Sequence, residues 1–307
     1  MIQRPDRPTR RAVLGGCGGL VATFAGCSGA SGATVLAAGS LAAGFEDRVG
    51  PAFTETTEYA YGGEYRGSNA LLRMVCEKQR RPDAIVSADA QLLRDRLRPE
   101  LADWDVVVAT NEVVIAADPS TAVGQRLLDG EYWPDVLRSS EATVARTDPD
   151  LDPLGYRALH LFELAERFYD EPGLADALEV ATTVTPGEAS LLAGVETGEY
   201  DAAIAYRNMA VDRDLGVRSL PPALNFADIA RAEQYAEVSY TTSDGHTVHG
   251  RPVRYAATVP ETAPDPAAGR AFVRFLADRA DLLDAVGLTT GDGVPVYSGA
   301  VPREVRA

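Results

Sequence analysis

Two glycine–serine steps, Gly39-Ser40 and Gly67-Ser68, stand where a β-prone or glycine-rich stretch gives way to a helical pattern. A helix start carries unpaired N–H groups and the positive end of the helix dipole. With a seryl hydroxyl beside them, these groups make a neutral cradle for an anion. Ser40 and Ser68 could instead simply cap their helices, a common role; two such steps flanking one sheet favour an oxyanion pocket. Other polar residues have ordinary readings on their own. Asp152 is a turn residue before Pro153, Glu188 an acid at a helix start, and Tyr206 a strand aromatic. His246 and His249 are spaced so that a strand would point them to opposite faces, which reads as a surface hairpin rather than a metal pair. His160 reads as structural, and Arg157 as a brace for the acidic turn or a neighbouring carboxylate. Cys76 reads as a small buried apolar residue on a helix. No Walker loop, dinucleotide fingerprint or Ser-His-Asp ordering is present.

The first residues address the chain out of the cell. Thr9-Arg10-Arg11-Ala12-Val13-Leu14 is a twin-arginine pattern, an uncharged run covers 12–24, and Phe24-Ala25-Gly26-Cys27 resembles a lipobox. The run is shorter than the roughly 20 apolar residues of a spanning helix. The expectation is export by the twin-arginine route, cleavage before Cys27, and lipid on Cys27 holding the protein at the outer face of the membrane. The chain has 45 acidic and 29 basic residues, a formal net charge of −16, and Lys78 as its single lysine. That balance suits solubility in high salt, where repulsion is screened, and argues against nucleic acid as a partner. With Cys17 removed and Cys27 lipidated, Cys76 has no partner for a disulfide.

The elements that must position these residues alternate. Strand-like runs at 34–38, 58–61, 83–87, 104–109, 112–117, 143–145 and 202–206 alternate with helical patterns at 69–79, 155–169, 191–196 and 266–286. Residues 62–67 read as a glycine-rich loop, and 235–240 with 246–259 as a hairpin around Ser243-Asp244-Gly245. This is an α/β protein with largely parallel sheets. Within 155–169, Leu159, Phe162, Ala165 and Phe168 or Tyr169 share a face.

Several segments together resemble the archaeal tungstate/molybdate-binding proteins of ABC importers. They are Leu36-Ala37-Ala38-Gly39-Ser40-Leu41, Gly67-Ser68, residues 83–89, Asp152-Pro153-Leu154-Gly155-Tyr156-Arg157, Glu188 with 195–201, Ile204-Ala205-Tyr206, and Gly250-Arg251-Pro252-Val253-Arg254-Tyr255. The likeness runs through the terminal helix. It implies a type II periplasmic-binding-protein fold, two α/β lobes joined by a hinge with ligand in the cleft. The expected division is a signal at 1–26, a tether at 27–33, one lobe of 34–111 and 255–307, and the other of 112–254. The resemblance also implies ligand contacts from Gly39, Ser40, Ser68, Asp152, Pro153, Leu154, Glu188 and Tyr206. Asp152 and Glu188 would coordinate the tungsten or molybdenum centre of the bound oxyanion and expand it to six-coordinate. The segment between them is shorter than usual for that family. The implied function is a monomeric receptor without cofactor or catalysis, delivering its anion to a membrane permease and a separate ATPase. The alternatives are a receptor for sulfate or phosphate, and an exported hydrolase using Asp152 and Glu188 as acid and base.

Overall fold

The computed structural model describes residues 32–291 and 293–306. The twin-arginine segment and Cys27 lie outside the described residues. Two sheets organise the fold. The first contains β1 (Gly32–Ala38), β2 (Ala60–Arg66), β3 (Ala84–Ser87), β4 (Trp104–Thr110), β12 (Arg254–Thr258) and β13 (Val296–Gly299), in the order β13-β4-β12-β3-β1-β2. The second contains β5 (Val113–Ala117), β6 (Val144–Thr147), β7 (Thr182–Thr185), β8 (Ala202–Tyr206) and β9 (Gly216–Arg218), in the order β7-β6-β8-β5-β9. A separate ribbon pairs β10 (Ser239–Thr241) with β11 (Thr247–His249).

The sheets are mixed rather than largely parallel. β1 runs parallel to β2 and β3, and β6 parallel to β7 and β8. β12 is antiparallel to both β3 and β4, and β5 antiparallel to both β8 and β9. The reversal arises where the chain leaves one sheet for the other: β4 and β5 are separated only by Asn111 and Glu112, yet belong to different sheets. Both sheets have buried central strands. β3, β5 and β8 are buried along their whole length, as runs of Ala, Val and Ile covered on both faces require.

The structure departs from the local expectations in several places. Gly62 and Gly63 lie within β2, because a parallel edge strand has one neighbour and tolerates residues without side chains. Gly32 and Ala33 belong to β1, with Ala33 buried, rather than to a tether. The expected long hairpin is divided: Tyr235 ends a short helix, Ala232–Tyr235, and β12 leaves the β10–β11 ribbon to enter the first sheet. Cys76 is exposed at the end of the helix Ser68–Cys76, with its thiol 3.5 Å from the Arg96 carbonyl. The terminal pattern is two helices, Pro266–Asp278 and Ala280–Ala285. In the helix Pro153–Tyr169, Phe162 and Ala165 are buried and Phe168 is exposed. Tyr169 packs on Trp133, whose indole N–H donates to its hydroxyl at 3.0 Å.

Candidate oxyanion site between the two sheets

The chain ends of β1 and β3, from the first sheet, meet the starts of two helices that follow strands of the second. Gly39-Ser40-Leu41 forms a short 3-10 turn directly after β1. Ser40 does not cap it. Its hydroxyl instead meets the Tyr255 hydroxyl at 2.9 Å, and its carbonyl accepts from Asn208 Nδ2 at 2.7 Å. Asn208 Oδ1 accepts in turn from Asn111 Nδ2 at 2.8 Å. Ser68 is the first residue of its helix, not its cap; its Oγ accepts from the Ala88 amide at 3.0 Å. The Ser68 proton therefore stays available for donation. Both serines are buried.

Asp152 is wholly buried and caps the helix Pro153–Tyr169, with Oδ1 accepting from the Leu154 amide at 2.5 Å. Pro153 has no N–H, and the Leu154 amide is taken by Asp152 itself. The turn thus presents a carboxylate oxygen rather than backbone donors. Asp152 Oδ2 is that oxygen: it is buried and has no hydrogen-bond partner among the described residues. Glu188 opens the helix Glu188–Glu196 and is also buried. Each carboxylate is pressed against one of the glycine–serine steps. A Cβ placed on Gly39 would stand 2.1 Å from Glu188 Oε2, and one on Gly67 would stand 2.5 Å from Asp152 Cβ and 2.3 Å from the Leu151 carbonyl. At Gly67 the neighbours are backbone and Cβ, so glycine is required; at Gly39 a side chain would displace the Glu188 carboxylate. A cavity of about 40 Å³ opens on the Gly39–Ser40–Glu188 side; it does not reach Asp152 or Ser68.

Burial dominates the electrostatics. It pushes the Asp152 carboxyl up to about 6, against the hydrogen bond from the Leu154 amide. Burial, and then the Asp152 charge, hold Glu188 well above the usual carboxylate range, while the amide and hydroxyl of Ser40 pull the other way. The two carboxyls therefore face one another electrostatically. Tyr206 is buried and stands in the field of both. Arg157 Nη1 donates to its hydroxyl at 2.6 Å. A guanidinium has no acceptor, so Tyr206 must accept from it and keeps its own proton for another partner.

Arg157 is itself braced from the first sheet. Its Nη2 donates to Asp89 Oδ2 at 2.9 Å, and the Tyr156 hydroxyl donates to the same oxygen at 2.8 Å. Asp89 Oδ1 caps the helix Ala90–Leu97 through the Gln91 and Leu92 amides. His160 is buried beside Tyr156 and Phe226, as a structural residue would be. Tyr255, Asn111 and Asn208 could not be found from local patterns. Their one visible signal is a polar or hydroxylated residue at a strand end, where the partner is set by the other sheet.

Raised carboxyl values carry a sign. Between the ordinary carboxyl range near 4 and the raised folded values, about 6 for Asp152, the native state holds more protons than the unfolded chain. These two groups therefore favour folding at the acid side of that window, and the contribution is lost as pH rises through the folded values. Asp212, pushed up to about 6 by burial, adds the same sign. Melting followed at pH 5 and pH 7 should show the wild type gaining more on acidification than Asp152→Asn does. Equal gains in the two proteins would contradict the arrangement.

The two lobes, the mixed sheets and the buried polar centre between them define a periplasmic-binding-protein fold. The periplasmic molybdate-binding protein of Azotobacter vinelandii has a similar structure, with a TM-score of 0.59 at 13% identity over 84% of this chain and 99% of its own. Residues 33–281 match the bacterial extracellular solute-binding protein family, and the chain belongs to it. It is 45% identical over 297 residues to an uncharacterised solute-binding protein of Halobacterium salinarum, covering 96% of each chain. It is 38% identical over 304 residues to a putative ABC transporter molybdenum-binding protein of Haloferax volcanii, again covering 96% of each. Members of this family are solute-binding proteins of transport rather than enzymes. No described helix is long and apolar enough to cross a membrane.

Proposed function

We propose that this protein captures molybdate or tungstate outside the cell and hands it to an ABC permease. The carrying observation is the buried carboxylate pair. Asp152 Oδ2 has no hydrogen-bond partner among the described residues, Glu188 lies in the field of Asp152, and burial disfavours charge on both. A hexavalent metal centre resolves that conflict. It is a hard cation that favours carboxylate oxygen. Two added oxygens expand the tetrahedral oxyanion to six-coordinate. Sulfur in sulfate is too small to accept them, so the same carboxylates would face oxygen atoms and repel the anion. The hydroxyls of Ser40, Ser68 and Tyr206 donate to the oxo groups. The relatives described as molybdenum-binding support the same ligand class. Domain boundaries at Asn111 and near Arg254 let one lobe close on the other, a ligand-driven shift between two arrangements.

The test is calorimetry of the mature protein with molybdate, tungstate and sulfate in high-salt buffer. One tight site for the two metal oxyanions with sulfate far weaker is expected; sulfate binding as tightly would defeat the proposal. The anchoring reading has its own check. Cys27→Ala should release the protein from the membrane fraction, and normal retention would remove the lipid from the account.

A further inference from the structure

The acidic chain concentrates arginine in one place away from the carboxylate pair. A pocket of about 330 Å³ lies between the first turn of the helix Ala90–Leu97 and the segment 249–254. Its walls include Arg94, Arg251 and Arg254, with Ile229 and Ala232 opposite. Arg94 is committed: its Nε and Nη2 reach Asp105 at 3.0 and 2.9 Å. Arg98 binds the same carboxylate, so two guanidiniums share one negative charge. Arg251 spends only its Nε, donating to the His249 carbonyl at 3.0 Å. Arg254 Nε is buried with no hydrogen-bond partner, and neither Arg251 nor Arg254 is ion-paired among the described residues. Burial, and then the charge of Arg94, pull Arg254 below its ordinary value.

Asp89 also lines the pocket, but both its oxygens are already used, by the Gln91 and Leu92 amides and by Tyr156 and Arg157. Its charge acts on Arg251 through space but leaves the N–H groups of Arg251 and Arg254 without an acceptor. The wall is also rigid. The Gly250 amide donates to the Val238 carbonyl at 2.9 Å, and a Cβ on Gly250 would stand 2.2 Å from the Tyr235 carbonyl. Arg251 and Arg254 thus keep guanidinium N–H groups without an acceptor among the described residues, which suits a carboxylate or phosphate group in the pocket.

We propose that this pocket is a second anion site, for a small dianion whose carboxylate or phosphate oxygens are gripped by Arg251 and Arg254. Ile229 and Ala232 leave room for a short apolar body, and the pocket is far larger than an inorganic oxyanion needs. The pocket is separate from the carboxylate pair, since neither Asp152 nor Glu188 lines it, although Asp89, which does, also holds Arg157.

The probes are succinate, for a dicarboxylate, and inorganic phosphate, for the phosphate class. Each is titrated calorimetrically into the wild type, Arg251→Gln and Arg254→Gln. Arg251 is partly exposed, so its replacement leaves the fold intact. One saturable event per chain with at least one probe is expected, weakened about tenfold or more in both variants, as loss of a charge-assisted hydrogen bond implies. Absence of saturable binding for both probes overturns the proposal. So does binding that is unchanged in both variants, since the probe would then sit elsewhere.

Discussion

Replacing Glu188 by glutamine should weaken molybdate binding by at least about a hundredfold, while sulfate binding holds or improves. Outer partners of a metal ligand typically cost about 10–100-fold when removed, and a direct ligand should cost no less. The amide keeps the size of the carboxyl but is a poor ligand for a hard cation. Simple electrostatics gives the opposite sign for molybdate. Glu188 is buried beside Asp152, and each raises the other's cost of carrying charge; deleting one charge should then help any dianion. Calorimetry on Glu188→Gln separates the two accounts with one variant and one ligand. Tighter molybdate binding would mean that Glu188 does not touch the metal. Asp152→Asn should behave in the same way towards ligand. It should also make the ligand-free protein more heat-stable at neutral pH, because a carboxyl held up at about 6 is an unfavourable charge there.

Arg157→Met should lower the melting temperature by about 6–12 °C. The pair with Asp89 is fully buried on both sides, and removing one partner of such a pair costs about 3–5 kcal/mol, since it strands the other charge. In a chain of this size each kcal/mol is worth about 2–4 °C. The lower end applies because Asp89 keeps the Tyr156 hydroxyl and two backbone amides. Adding Asp89→Asn should recover part of the loss, so the two changes together cost less than their sum. Burial pushes the Asp89 carboxyl up, but the charges of Arg157 and Arg251 outweigh it and hold the group below its ordinary value. Its contribution is therefore present at neutral pH and fades only in acid. A melting temperature within about a degree of wild type would show that the pair is not structural. A second readout is ligand affinity, which should fall as Tyr206 loses the donor that directs its proton.

Much of this protein was legible in the chain because it is written in local chemistry. Apolar runs such as Val113–Ala117 and Ala202–Tyr206 read as buried strands because they are short, apolar throughout and bounded by polar residues, and the structure buries both along their whole length. Asp152 before Pro153 reads as a turn residue, and the structure makes that turn the cap of the helix Pro153–Tyr169. The Gly39-Ser40 step marks the end of β1. Arg157 reads as a brace for the acidic turn or a neighbouring carboxylate; its partner is Asp89, which only the fold brings near.

Other features depend on the opposite sheet. No pattern near Ser40 reveals that its hydroxyl meets Tyr255, 215 residues away, or that Asn208 holds its carbonyl. The glycines of β2 look like a loop until a parallel neighbour supplies their hydrogen bonds. The antiparallel strand β12 reads as a hairpin arm until tertiary pairing draws it between β3 and β4. Most decisively, Asp152 and Glu188 read in the sequence as an ordinary turn residue and an ordinary acid at a helix start. Their raised proton affinities arise only when folding removes both from water and sets them in one another's field, because the energy of a buried charge is fixed by its surroundings and not by its neighbours in the chain.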